Sequence, residues 1–455
     1  MDFSAERCVR GAGVVPTPPT RSRSPGWAWR YTLESWLADI PTSVWIGGFL
    51  ALYMAWAIGA NDVANAMGTS VGSGALDLRG AIIIAGIFEF SGAFFMGGHV
   101  TDTVRKGMLD MTEVLAQPEL LRYGMLAALA AAATLLVAAT FFGLPVSTTH
   151  AIVGAIVGFG VVAFGFGCVV WSKVLQIVFS WITSPLIGGA LAFGTFHVIR
   201  KLILDSDRPM AQARRYGPVF FFYVFFIVGL VTLFKGLRNL KLDFDLPQAL
   251  GLSVCVGLVG AALGFAFVRR IRSSPKGDPD LERQFRDVER VFVLLQILTA
   301  CALCFAHGSN DVANAIGPLA AAVSTTASAA VATKAEVAPW MLAVGGLGIV
   351  VGLGTWGYRV IETVGSRITD LTPSRGFAAA LAAATTIVLC SRLGIPVSTT
   401  HILVGAVLGV GLARGISALD LRVVGRILIT WLATLPLAAG LAIAFFYLFR
   451  WLLSA

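Results

Sequence analysis

The chain has 455 residues, of which 57% are hydrophobic and 13% charged, with a formal net charge of +9 and a mean hydropathy of +0.81. Soluble domains carry about a quarter charged residues, so this chain cannot cover a water-facing surface, and its surface must face lipid. Its Lys and Arg lie between apolar stretches rather than on one face. The basic balance therefore reports cytoplasmic retention of positive loops, and no nucleic-acid partner is expected.

The first 40 residues, rich in Pro, Ser, Thr and Arg, read as a disordered lead without a cleaved signal. Apolar segments long enough, or nearly so, to cross the bilayer as helices then follow. Five lie at about 44–60, 80–98, 123–142, 146–168 and 172–199, within a first repeat of 41–200. Two more, 217–234 and 248–268, lie in a connecting region of 201–290 that ends in a short charged linker. A second repeat over 291–455 holds segments at about 291–306, 341–358, 376–391, 397–413 and 423–449. The expected fold is all-α, a polytopic membrane protein with about 12 transmembrane or re-entrant segments. Many of the 50 Gly residues lie inside these stretches, which suits close helix packing in lipid. The six cysteines, Cys8, Cys168, Cys255, Cys301, Cys304 and Cys390, are scattered. Cys301 and Cys304 form a C-x-x-C without a second pair, so they read as small packing residues rather than metal ligands.

The repeats are visible in the residues themselves. Gly59-Ala-Asn-Asp-Val-Ala-Asn-Ala-Met-Gly68 recurs as Gly308-Ser-Asn-Asp-Val-Ala-Asn-Ala-Ile-Gly317, and Pro145-Val-Ser-Thr-Thr-His150 recurs as Pro396-Val-Ser-Thr-Thr-His401. Trp181 and Pro185 are matched by Trp431 and Pro436. Two basic stretches, Arg200 to Arg215 and Arg269 to Arg290, are separated by two crossings and so share a side, which the positive-inside rule makes cytoplasmic. Five crossings per repeat then turn the copies in opposite directions and put both termini outside. This inverted-repeat plan is common among secondary transporters. The arginines of the lead, Arg7, Arg10, Arg21, Arg23 and Arg30, oppose that orientation, and re-entry of 146–168 or 397–413 would change the count.

Each motif carries its own chemistry. A carboxylate near the bilayer centre costs roughly 2.5–3.5 kcal/mol, and Asp62 and Asp311 place one in each repeat. Gly59 and Gly308 would let the helix break and free backbone carbonyls for a cation. Asn65 and Asn314, three residues beyond each Asp, share its helix face. The result is a set of hard oxygen ligands for a small cation, and capping of a helix start by each Asp is compatible with it. Pro-Val-Ser-Thr-Thr-His reads as a helix start, with Pro in the first turn. Ser147, Thr148 and Thr149, and in the second copy Ser398, Thr399 and Thr400, supply hydroxyls at a positive dipole end suited to a tetrahedral oxyanion. Simple capping by Ser147 and Ser398 is the alternative. His150 and His401 orient neighbours rather than bind metal. The chain has no G-x-x-x-x-G-K-[ST] loop, which argues against ATP hydrolysis and for ion coupling. No cofactor is expected, and no nucleophile constellation points to an enzyme.

These residues resemble the PiT family of inorganic phosphate transporters, whose two signatures are the duplicated motifs, over about residues 40–450. The stretch from Gly72-Ser73-Gly74 to Ile87-Phe88-Glu89, with Thr103-Val-Arg-Lys-Gly107, looks most like its sodium-coupled branch. The resemblance implies an inverted-repeat symporter, often a homodimer, importing phosphate with sodium through the cell membrane. It implies that Asn61, Asp62, Asn310 and Asp311 line the centre, that the six hydroxyl residues hold phosphate, and that Glu89 serves transport. Where many members carry a Glu, this chain has Ala378, Ala379 and Ala380, which bears on stoichiometry and cation choice. The competing readings are a sulfate permease, a proton-coupled carrier of metal–phosphate, and a channel or receptor. Sulfate lacks the P–OH that Asp62 or Asp311 can accept.

Overall fold

The structure is a computed structural model that describes residues 42–97, 108–110, 114, 116–233, 245–271, 281–324, 337–392 and 397–453. The N-terminal lead, Thr103–Gly107, the linker residues 272–280 and Pro396 lie outside the described residues. Among the described residues the regular structure is helical apart from one isolated bridge, Leu109 to Val169.

The first repeat comprises α1 (Thr42–Gly72), α2 (Leu78–Met96), α3 (Pro118–Phe141), α4 (Thr148–Phe164) and α5 (Trp171–Ile199), which runs on as a π turn to Leu204. Two helices follow, α6 (Pro209–Val231) and α7 (Leu246–Arg270). The second repeat comprises α8 (Leu281–Ser324), α9 (Pro339–Trp356), α10 (Tyr358–Glu362), α11 (Pro373–Arg392), α12 (Thr399–Arg414) and α13 (Leu421–Leu453). Ten of these are long and apolar enough to cross a membrane; α4 and α12, with 17 and 16 residues, are shorter. At 1.5 Å per residue they reach about 25 Å, less than the ~30 Å hydrocarbon thickness.

Local chemistry fixes the helix starts. Asp77 caps α2 by accepting from Gly80 N at 3.1 Å, and Asp245 forms a capping box with Gln248 at α7. Ser147 and Ser398 cap α4 and α12 by accepting from His150 N (3.2 Å) and His401 N (3.3 Å). Capping by these serines is therefore real. Pro145 precedes the cap, so the expectation of Pro in the first turn fails for this helix.

The copies run in opposite directions. Arg200, at the end of α5, donates to Ala413 O at 3.0 Å, beside the end of α12 and just before α13 begins. At the other end of α13, Leu453 O accepts from Tyr123, in the first turns of α3 (3.1 Å). The equivalent helices α5 and α13 are thus antiparallel.

The helix does not break at the Asn-Asp motifs. Both α1 and α8 pass through them unbroken, so the expectation that Gly59 and Gly308 free backbone carbonyls is overturned. These glycines serve packing instead. A Cβ on Gly59 would run into the backbone carbonyl of Ile349 in α9, and one on Gly308 into that of Glu89 in α2. Backbone meets backbone, and only a residue without a side chain permits it.

Gly59→Val and Gly308→Val should therefore abolish or strongly reduce monodisperse folded protein, since overpacking alone costs roughly 1–3 kcal/mol. Gly48→Ala, whose Cβ would meet nothing within 4 Å, should leave the melting temperature in detergent within a degree or two (roughly ≤0.5 kcal/mol).

Candidate functional site

The site forms where the two continuous motif helices meet the two short helix starts. In the first repeat, α3 and α4 make a hairpin whose tip is held by Asn61 of α1. Asn61 Nδ2 donates to Thr140 Oγ1 (2.9 Å) and Leu144 O (3.1 Å), and its Oδ1 accepts from Val146 N (3.1 Å). Asn61 is thus engaged in positioning the α4 start. The next residue, Asp62, and Asn65 one helical turn on are buried side by side, with Asn65 Nδ2 donating to Asp62 Oδ1 at 2.9 Å.

The halves exchange their hydroxyls. Thr400, from α12 of the second repeat, lies against the first-repeat motif: it accepts from Asn65 Nδ2 at 2.8 Å and donates to Asp62 Oδ1 at 3.4 Å. Thr148, from α4 of the first repeat, accepts from Asn314 Nδ2 of the second at 3.4 Å. Asn314 and Asn310 both direct their amides to Asp311 Oδ1, at 3.5 Å and 3.0 Å. Thr149 and Thr399 flank the same helix starts, and Ser147 and Ser398 are their caps.

One residue at the centre of this cluster was not anticipated from the sequence. His307, just before Gly308 in α8, is buried between the two halves. Its Nε2 lies 2.6 Å from Asp311 Oδ2 and 3.8 Å from Asp62 Oδ2, and its Nδ1 lies 3.4 Å from Glu89 Oε1. Asp62, His307 and Asp311 offer ligand atoms all within 4.8 Å of one another, a group able to hold a cation. Asp62 Oδ2, Asn65 Oδ1, both Glu89 oxygens and Asp311 Oδ2 are buried outside any well-aligned hydrogen bond, as are the two His307 nitrogens, so five acceptors face one imidazole and acceptor capacity exceeds donor supply.

The signal for His307 was asymmetry. The motif reads Ile58-Gly59 in the first copy and His307-Gly308 in the second. Gly59 packs on Ile349 and Gly308 on Glu89, so at one contact between the repeats the buried polar residues His307 and Glu89 stand where the equivalent contact has the buried apolar residues Ile58 and Ile349. Ala378, Ala379 and Ala380 are fully buried in α11. Nearby, a Cβ on Gly376 would strike the buried Gln296, which accepts from Ser73 at 2.9 Å. No disulfide joins the described cysteines.

Helices, repeats and buried acids together define a polytopic membrane protein with a cluster of carboxylates and amides at its centre. Residues 58–442 match the model of the phosphate transporter family, and the chain belongs to that family. It is 46% identical over 420 residues to a protein of Haemophilus influenzae predicted to be a phosphate permease, covering 91% of this chain and 97% of the relative. It is 44% identical over 425 residues to the chloroplastic inorganic phosphate transporter 2-1 of Arabidopsis thaliana, covering 88% of this chain and 71% of the relative. A solved structure described as the sodium-dependent phosphate transporter superposes with a TM-score of 0.81 at 40% identity, covering 90% of this chain and all of that one.

The Asn65–Thr400 bond joins the two repeats directly. In a double-mutant cycle of Asn65→Ala and Thr400→Val read by thermal unfolding, the two losses should be non-additive by about 0.5–1.5 kcal/mol. Strict additivity would mean the bond contributes nothing.

Proposed function

We propose that this protein imports inorganic phosphate by symport with sodium. The observation that carries the reading is the pair of Asp–Asn sets, each completed by a threonine from the opposite repeat, with buried carboxylate and amide oxygens left unpaired. Sodium is a hard cation that takes such oxygens. Asp62 and Asn65 would hold it in one half, Asp311 and Asn314 in the other. Phosphate would be held by Ser147, Thr148, Thr149, Ser398, Thr399 and Thr400 at the two helix starts, with Asn61, Asp62, Asn310 and Asp311 around it. Glu89 takes part in coupling through His307.

The physics requires coupled cations. Moving one negative charge into an inside-negative cell costs about 2.3 kcal/mol per 100 mV, and a phosphate beside two carboxylates adds repulsion. Co-bound sodium relieves both. The solved sodium-dependent phosphate transporter, at 40% identity, supports the choice of sodium.

The proposal extends to placement. The units are a lead (1–40), a first repeat (41–200), a connecting region (201–290) and a second repeat (291–455), in an inner or plasma membrane. The basic stretches are cytoplasmic and both termini lie outside; Arg214 donating to Ile271 O at 2.9 Å supports the basic stretches sharing one end. The working form is a homodimer.

Uptake of labelled phosphate into proteoliposomes tests the reading. Phosphate should accumulate above its external concentration with a sodium gradient, and arsenate should compete more strongly than sulfate. Full accumulation with choline replacing sodium at fixed pH would overturn the sodium assignment. Asp62→Asn and Asp311→Asn should each abolish concentrative uptake while the protein stays inserted at wild-type levels.

A further inference from the structure

The two aspartates at the centre divide their oxygens between two tasks. Asp62 Oδ1 accepts from Asn65 at 2.9 Å and from Thr400 at 3.4 Å, and Asp311 Oδ1 accepts from Asn310 at 3.0 Å and from Asn314 at 3.5 Å. Each Oδ2 turns instead to His307, whose Nε2 lies 2.6 Å from Asp311 Oδ2 and 3.8 Å from Asp62 Oδ2. None of the three residues is more than 2% exposed, yet none of these three atoms lies in a well-aligned hydrogen bond. A donor and an acceptor this close would ordinarily point at each other. Atoms that converge without doing so are arranged as ligands around an ion are, and the three residues offer ligand atoms all within 4.8 Å of one another.

The donor set selects the ion. Zinc bonds of about 2.0–2.2 Å to nitrogen and oxygen place tetrahedral ligands roughly 3.4 Å apart, and the separations of 2.6 and 3.8 Å straddle that spacing. An imidazole nitrogen suits zinc and its transition-metal neighbours, whereas hard cations take oxygens. The ring is also held as metal-bound imidazoles are. Its Nδ1 lies 3.4 Å from Glu89 Oε1, a carboxylate placed to fix the Nδ1–H tautomer and turn the Nε2 lone pair to the aspartates. That gives a task to Glu89, a buried acid whose two oxygens have no well-aligned hydrogen bond. Three protein ligands leave a fourth position for an exchangeable one. The first repeat has Ile58 where the second has His307, so the pseudo-symmetric place cannot form a second site.

We propose that Asp62, His307 and Asp311 form a site for one zinc-like divalent ion, with Glu89 as the positioning residue behind the imidazole. The ion takes ligands from both repeats at once and so clamps α1 to α8. It occupies the carboxylates that sodium would use, and therefore opposes sodium instead of assisting it. Binding stands on the ligand geometry alone, while its effect on uptake rests on the transport reading above.

The test titrates zinc chloride into purified, tag-free protein in buffer without sodium or phosphate. Calorimetry should show one zinc ion per chain, and X-ray absorption at the zinc edge should show one imidazole nitrogen among oxygen ligands. Added sodium should weaken the binding. In proteoliposomes zinc should inhibit uptake of labelled phosphate, with a half-inhibiting concentration that rises with sodium. His307→Gln should weaken zinc binding at least about tenfold and Glu89→Ala about tenfold, whereas Glu89→Gln, whose amide oxygen still accepts from Nδ1–H, should weaken it less than about threefold. A wild type that binds no zinc, a zinc shell without imidazole nitrogen, or undiminished affinity in folded His307→Gln overturns the site, and zinc affinity indifferent to sodium overturns the competition. The spectrum and the sodium dependence need only the wild type, so they decide the question where a variant fails to fold. Zinc binding without phosphate flux in the wild type overturns the proposed function and leaves the site standing.

Discussion

Burying acids inside a bundle that lies in lipid is the constraint on which this molecule depends. Asp62, Glu89 and Asp311 are fully buried around a single imidazole, His307. One imidazole can supply at most one positive charge, and the amides of Asn65, Asn310 and Asn314 supply donors but no charge. A group of this kind is tolerable only if every neighbour is held rigidly, or if mobile cations complete it. The surrounding architecture provides the first condition. The motif glycines bring backbones into contact, and Asn61 fixes the hairpin tip with three hydrogen bonds.

The same constraint explains why the halves interlock instead of standing side by side. Thr148 and Thr400 each complete the polar set of the opposite repeat, and Trp431 holds the turn before α4. A half on its own would leave its Asp–Asn pair without a hydroxyl and with an open face. The hydrogen bonds that satisfy the centre are therefore also the bonds that join the repeats, so stability and site geometry cannot be varied separately. Elsewhere, helices meet through small residues, as where Gly154 and Gly158 face Leu435 and Ala439, and Gly405 and Gly409 face Pro185 and Gly189. Such contacts hold helices close without polar bonds and can shift by small steps.

Much of this was legible in the sequence because lipid imposes simple rules. All twelve apolar segments correspond to helices, since a chain with so little charge has no other way to satisfy its backbone in hydrocarbon. Their ends were less legible. The segment expected at 291–306 is the middle of a 44-residue helix, because charged residues from Glu282 to Arg290 extend it beyond the apolar run and the Asn-Asp motif continues it. The motifs located the site, but glycine was misread there: a break and a close approach leave the same trace in one sequence. His307 is hard to read from the duplication, because its meaning lies in a difference between the copies and not in their identity. Glu89 stood out as an acid in an apolar span, whereas its partner, more than two hundred residues away, required coordinates.

The unequal pairing of Ile58–Ile349 and His307–Glu89 has an evolutionary corollary. A protein assembled from two identical first halves would bring four acids to its centre and no imidazole; one assembled from two second halves would bring two acids, two imidazoles and no Glu. Neither homogeneous ancestor reproduces the charge balance of the present chain. A gene duplication alone could not have yielded this centre. Substitution after duplication set one half basic and the other acidic, and neither half now supplies the charge that the other brings.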